Sequence, residues 1–307
     1  MILITEFMDE TAVDALRKEF DVHYDPALAD DPSRIEALIP GRRALIVRNR
    51  TQVTANLLAA APDLECVGRL GVGLDNIDQA ACATRDVEVY PATGANNLSV
   101  VEYVLATAMS LLRGAYDARV AMQAGSWPRT ACAGRELAGK TLGLVGFGAI
   151  AQDLAVKARA LGLNLIAHDP FLPPDHPAWG DVPARDLDDL LPAADVVSLH
   201  VPLTGATRHL INATRLSRMK SDAVLINAAR GGVVDEAALA SALREGRLGG
   251  AALDVFETEP LTAEAAAQFD GLPNLILTPH IGGVTEESNT RVSAMIADRV
   301  RAHLVRT

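Results

Sequence analysis

Short apolar runs alternate with longer amphipathic stretches along nearly the whole chain. Runs of three to seven apolar-rich residues at 2–5, 43–49, 64–70 and 87–91 predict buried strands. Segments 9–20, 54–62 and 76–85 lie between them and carry the 3.6-residue period of helices. A longer helical pattern covers 98–113, with Val101, Leu105, Met109 and Leu112 on one expected face. The irregular, polar segment 114–140 reads as a boundary or an arm around 115–135, with Trp127 as arm packing. The alternation then restarts, with strands at 141–145, 163–168, 195–201, 221–228, 250–256 and 274–279. A final helix at 286–304 shows Val292, Met295, Ile296, Val300 and Leu304 at helical spacing. Strictly alternating strands and helices predict an α/β protein with two doubly wound parallel sheets.

Composition sharpens this picture. The 307 residues are enough for two domains, and 49% hydrophobic content supports sizeable cores. The net charge of −11 is spread along the chain, which argues against a nucleic-acid or anionic-membrane surface. An anionic small molecule would need a local basic site. Cys66, Cys82 and Cys132 form no C-x-x-C pair and sit near no His cluster, so reduced thiols, no metal site and a cytoplasmic protein are expected. The opening "MILITEFMDE" lacks a basic n-region, and no apolar run reaches membrane-spanning length.

The chemistry concentrates in the second half. "GFGAIA" places Gly146, Gly148 and Ala151 in a G-x-G-x-x-A pattern between an apolar strand and a helix that opens at Ala149 and Ile150. Such glycines permit a tight turn and let backbone approach a pyrophosphate at a helix N-terminus. Asp169 ends the next strand, where an acid can bind both ribose hydroxyls and repel a 2′-phosphate, so NAD is expected over NADP. Arg230, Glu259 and His280 each lie at or just after a strand, where open α/β sheets bind their ligands.

The runs "GLVGFGAIA", "LINAARGGVVDEAAL", "GAALDVFETEP" and "TPHIGGVTEES" resemble the D-isomer-specific 2-hydroxyacid dehydrogenases, in particular the phosphoglycerate dehydrogenase branch. "LIVRNRTQV", "GRLGVGLDNID" and "NNLSVVEYVLA" extend the resemblance across the first half. It implies a Rossmann NAD-binding domain at 97–284, inserted into a flavodoxin-like substrate domain made of 1–96 and 285–307. His280 would be the general base, since an imidazole titrates near roughly pH 6.5. Glu259, preferred over Glu257 because it precedes the proline, would orient the ring. Arg230 would hold the substrate carboxylate with its fork of donors.

Further roles follow from the same likeness. Asp254, His200, Pro202, Thr207, Ala228 and Gly283 would line the cofactor. The Val72 and Gly73 amides and Asn96, with Asn97 as the alternative, would face the substrate. Arg48, with Asn49 beside it, would contact a distal anion on a three-carbon 2-hydroxy acid, 3-phosphoglycerate or 3-sulfolactate. Family members are usually dimers, so a homodimer is expected. The alternatives are a glyoxylate or hydroxypyruvate reductase, and a non-catalytic NAD-sensing protein of the same fold.

Overall fold

The computed structural model describes residues 1–114 and 118–306. Part of the expected arm, 115–117, lies outside the described residues. The chain divides into two compact units, Met1–Asn96 with Val284–Thr307, and Asn97–Gly283.

The first unit opens with β1 (Ile2–Ile4), α1 (Glu10–Arg17) and β2 (Val22–Tyr24). It continues through α2 (Pro32–Leu38), β3 (Ala44–Val47), α3 (Ala55–Ala59), β4 (Cys66–Arg69), α4 (Gln79–Thr84) and β5 (Glu88–Pro91). All five strands run parallel in the order β2-β1-β3-β4-β5, which is the flavodoxin-like order. Strand period explains the two cores. Ile2, Ile4 and Ile46 face α1 and the C-terminal helix, while Leu3, Leu45 and Val67 face Ile35, Leu57 and Leu58. β2 is absent from the sequence expectation. It is three residues long, half-buried and at a sheet edge, so it shows no apolar run.

The second unit begins with α5 (Asn97–Arg113) and α6 (Arg119–Gln123), then alternates β6 (Thr141–Val145), α7 (Ala149–Ala160) and β7 (Asn164–His168). α8 (Leu187–Ala193), β8 (Val196–Leu199), α9 (Ala213–Leu216) and β9 (Val224–Asn227) follow. α10 (Glu236–Arg244), β10 (Gly250–Leu253), α11 (Ala263–Ala266) and β11 (Leu275–Leu277) complete it. The six parallel strands are ordered β11-β10-β9-β8-β6-β7. Ala184 adds an isolated parallel bridge to Ala167 beyond β7. With that bridge as a reduced third strand, the order is that of the Rossmann fold plus one further strand.

The expected face of α5 is corrected by one column of the helix. Val101, Val104, Ala108, Leu111 and Leu112 are buried, whereas Met109 is 40% exposed. Successive i+4 steps rotate about 40° around a 3.6-residue helix, so the ladder from Val101 drifts outward by Met109. The last helix, α12 (Glu286–Arg306), packs Val292, Ile296, Val300 and Leu304 onto the first unit's sheet. Gly68 of β4 permits this approach, since a Cβ there would lie 2.6 Å from Ile296 Cγ2. Cys66 and Cys82 are buried free thiols, Cys132 is a partly buried one, and burial pushes Cys66 up to about 12. Among the described residues no three His, Cys, Asp or Glu side chains cluster to hold a metal, and no helix is long and apolar enough to cross a membrane.

Candidate active site

In the second unit every expected residue lies at the carboxyl edge of one sheet. Gly146 leaves β6 at φ +88, and a Cβ there would lie 2.4 Å from the His200 carbonyl oxygen. Gly148 caps α7 with no side-chain hydrogen bond, and a Cβ built on it meets nothing within 4 Å. The first N–H groups of α7, including those of Ala149 and Ile150, therefore border open space with the positive end of the helix dipole behind them. Asp169 follows β7. Its Oδ2 accepts from the Phe147 amide at 2.9 Å and its Oδ1 from the Phe171 amide at 3.0 Å. The acid is thus tied to the glycine turn itself, and each oxygen keeps a further lone pair. Phe147 is buried and stacks on Trp179 with centroids 5.1 Å apart, fixing the turn from below. An open helix N-terminus, a glycine that leaves room for phosphate and a positioned acid fit a dinucleotide.

Across the neighbouring strands, His200 Nε2 pairs with Ser198 Oγ at 2.9 Å, and burial pushes the ring's pKa down to about 4. That imidazole is neutral at ordinary pH. Thr207 Oγ1 donates to the Pro202 carbonyl at 2.6 Å, so these two expected residues share one turn. Ala228 and Arg230 follow β9. Gly231 is required there, because a Cβ would lie 1.7 Å from the Phe256 carbonyl oxygen. Buried Asn227 holds the turn, donating to the Arg230 carbonyl at 3.0 Å and accepting from the Ala229 amide at 3.1 Å.

His280 adopts a left-handed backbone, φ +56, just beyond β11. Its Nδ1 lies 2.8 Å from Glu259 Oε2, while Glu259 Oε1 accepts from the Phe256 amide at 3.0 Å. Glu257 is engaged elsewhere, with His209 Nε2 at 3.1 Å and the Glu236 amide at 3.2 Å. Burial pushes the Glu259 carboxyl up. The hydrogen bonds from His280 and Phe256, and the charges of His280 and Arg230, outweigh this and hold it below its ordinary value. An ionised carboxylate thus fixes one ring nitrogen of His280, and Nε2 has no hydrogen bond among the described residues. Such a ring can take up or release a proton at Nε2.

Asp254 anchors the turn that carries His280. Oδ1 accepts from Thr278 Oγ1 at 2.6 Å and the Ile281 amide at 2.8 Å, and Oδ2 from the Gly282 amide at 2.7 Å. Tyr103 OH lies 2.7 Å from Thr278 Oγ1 and extends this chain to α5. Thr278 and Tyr103 are functional candidates that sequence reasoning passed over. The helical period marks Tyr103 only as a partly buried aromatic. Gly283 ends the unit.

The family described as D-isomer specific 2-hydroxyacid dehydrogenase, NAD binding domain, matches residues 105–282. The chain belongs to the D-isomer specific 2-hydroxyacid dehydrogenases. As a member, it is an NAD-dependent oxidoreductase of 2-hydroxy acids. The (S)-sulfolactate dehydrogenase of Chromohalobacter salexigens is 56% identical over 304 residues, covering 99% of this chain and 98% of that protein. The D-3-phosphoglycerate dehydrogenase of Synechocystis is 37% identical over 300 residues, 98% of this chain but 53% of that longer protein. Among solved structures, D-lactate dehydrogenase from Aquifex aeolicus, complexed with NAD and lactic acid, has a TM-score of 0.86 at 29% identity. It is matched over 99% of this chain and 96% of that one.

The first unit of this dehydrogenase holds the remaining expected residues. Val72 and Gly73 follow β4, and their amides donate to no acceptor among the described residues. Asn96 Oδ1 is buried without a partner, whereas Asn97 Nδ2 donates to Asp153 Oδ2 at 3.0 Å. That difference leaves Asn96 the better placed to meet a ligand. Arg48 and Asn49 begin the loop after β3. Asn49 is exposed, and Arg48 is half-buried with its Nη2 donating to Asn289 Oδ1 at 2.8 Å. Burial pushes the Arg48 guanidinium down and the charge of Glu6 partly offsets that. Neighbouring Arg50 is taken by a surface ion pair with Asp30.

Proposed function

We propose that this dehydrogenase interconverts (S)-3-sulfolactate and its 2-oxo acid. The observation that carries the proposal is Arg48, a half-buried cation that forms no ion pair among the described residues. A carboxylate needs one cationic clamp, and Arg230 supplies it. A second arginine that is not hydrogen-bonded to a carboxylate is useful to a substrate with a second anion. Likeness to a sulfolactate dehydrogenase over nearly the full length of both chains favours sulfonate over phosphate. Stereochemistry supports this reading. Sulfur outranks oxygen in the naming order, so the (S) label on 3-sulfolactate describes the same arrangement at C2 as D-lactate. The relative's (S) substrate and a D-isomer specific family therefore agree.

In this reading His280 Nε2 takes the hydroxyl proton while Glu259 holds the other ring nitrogen and stabilises the imidazolium. NAD held by the second unit would supply the acceptor for the hydride that leaves C2. Arg230 binds the carboxylate and polarises the C2 oxygen, and the Val72 and Gly73 amides add donors to the substrate, with Asn96 beside it. Gly146, Gly148, Ala149, Ile150, Asp169, His200, Pro202, Thr207, Ala228, Asp254 and Gly283 hold the cofactor. The protein acts in the cytoplasm as a homodimer. The exposed Val120, Met122 and Trp127, at 70%, 44% and 77%, support a contact through the arm. Light scattering at micromolar concentration should give twice the 32.4 kDa chain mass. A monomer there would remove the dimer from the proposal.

Arg48→Ala tests the distal contact. A charge-assisted contact is worth ~1.5–3 kcal/mol, so kcat/KM for 3-sulfolactate should fall about 10- to 150-fold. Activity with D-lactate, which has no distal anion, should change little. Equal losses on both substrates would remove Arg48 from the specificity of the site.

A further inference from the structure

The loop that carries Arg48 is held to an unusual degree by one buried acid. Glu6, 4% exposed, accepts from four consecutive backbone amides. Its Oε1 takes Arg48 at 2.8 Å and Thr51 at 2.9 Å, and its Oε2 takes Arg50 at 3.0 Å and Asn49 at 3.3 Å. Asn76 Nδ2 binds the same turn from its carbonyl side, at 3.2 Å from Arg48 O and 2.7 Å from Thr51 O. Thr5 Oγ1 lies 2.8 Å from Thr51 Oγ1. The backbone under Arg48 is therefore fixed. The nearby acid acts on the guanidinium through its charge alone, because its hydrogen bonds go to backbone amides.

What touches the guanidinium is Asn289 on the first turns of α12, 241 residues away in sequence. A partly buried arginine is ordinarily paired with a carboxylate. A carboxamide accepts one N–H of the fork and leaves the positive charge whole, with the other donors uncommitted to it. Glu286 and Glu287 on the same turn are both exposed.

We infer that Asn289 is a specificity-determining positioning residue, which aims the Arg48 guanidinium at the distal anion of the substrate without cancelling its charge. This rests on the proposed function, since it presumes that Arg48 meets that anion. An acid at position 289 would form an ion pair with Arg48 and turn an anion-accepting site into one that rejects anions.

The test is steady-state NADH formation with 3-sulfolactate and with D-lactate, for wild type, Asn289→Asp, Asn289→Ala, Asn289→Gln and Arg48→Ala. Asn289→Asp should raise KM for 3-sulfolactate about 10- to 150-fold, matching the Arg48→Ala loss, with kcat nearly unchanged and D-lactate unaffected. Asn289→Ala should cost a few-fold in wild type and nothing further in the Arg48→Ala background. Asn289→Gln, which restores a carboxamide, should recover much of the Asn289→Ala loss. The inference is overturned if Asn289→Asp leaves the 3-sulfolactate KM unchanged, or if it weakens both substrates alike. If Asn289→Asp does not fold, additive losses for Asn289→Ala and Arg48→Ala overturn it instead. Wild type preferring D-lactate would overturn the substrate reading itself. Wild type preferring 3-sulfolactate, with only Arg48→Ala losing it, would overturn the Asn289 role alone.

Discussion

His280→Ala is expected to lower kcat by roughly 10²–10⁴ while NADH binding, followed by fluorescence, stays near that of wild type. The size follows from the arrangement around the ring. Glu259 occupies Nδ1 at 2.8 Å and is itself held below its ordinary carboxyl range, so the pair presents Nε2 in one orientation. Asp254 binds three donors of the His280 turn and holds that turn in place when the ring is removed. The variant should therefore lose the proton acceptor and little else. Glu259→Gln should also reduce kcat severely, because an amide cannot stabilise the imidazolium. Its loss should not add to that of His280→Ala, since the two act as one unit. A His280→Ala enzyme retaining more than about a tenth of wild-type turnover would place proton transfer on another group.

The second large effect concerns cofactor choice. NAD should be preferred over NADP by at least about 100-fold in kcat/KM. Asp169 is fixed by the Phe147 and Phe171 amides at 2.9 and 3.0 Å, so it cannot easily swing away from a 2′-phosphate. The residues that follow it, Pro170 to Asp175, include no Lys or Arg to compensate. A phosphate brought against this carboxylate would be left without a counter-charge, at a cost of several kcal/mol. Asp169→Ala should shrink the preference by weakening NAD more than by improving NADP. Comparable efficiency with both cofactors in wild type would mean that the acid does not meet the ribose.

Much of this was legible because the candidate residues stand at strand ends. The apolar runs before Gly146, Arg230 and Asp254 mark buried parallel strands and the run before His280 a half-buried edge strand, and the polar residues after them fall on the ligand edge. The same feature blurred the boundaries. Segments 195–201 and 221–228 read as strands, but only Val196–Leu199 and Val224–Asn227 pair in the sheet. The apolar residues beyond have already turned toward the ligand edge. β2 and the single bridge at Ala184 escaped because neither has a run long enough to show a period.

Side-chain pairings were less accessible. "ILITEF" shows Glu6 as an acid after a strand, with nothing local to signal four backbone amides 42–45 residues on. Asn289 could not be matched to Arg48 from spacing, since only the return of α12 to the first sheet brings them together. The rivalry of Glu257 with Glu259, by contrast, ended in a plain geometric split, one engaged with His209 and the other with His280.

The most direct test of the central claim is the substrate preference of the wild-type protein. Purified enzyme with NAD should be assayed at 340 nm against (S)-3-sulfolactate, its (R) enantiomer, D-3-phosphoglycerate and D-lactate, with sulfopyruvate, hydroxypyruvate and glyoxylate in reverse. The highest kcat/KM is expected for (S)-3-sulfolactate and its oxo acid, with strong discrimination against the (R) form and weak turnover of substrates lacking a distal anion. A preference for D-lactate, glyoxylate or hydroxypyruvate over both distal-anion acids would contradict the claim.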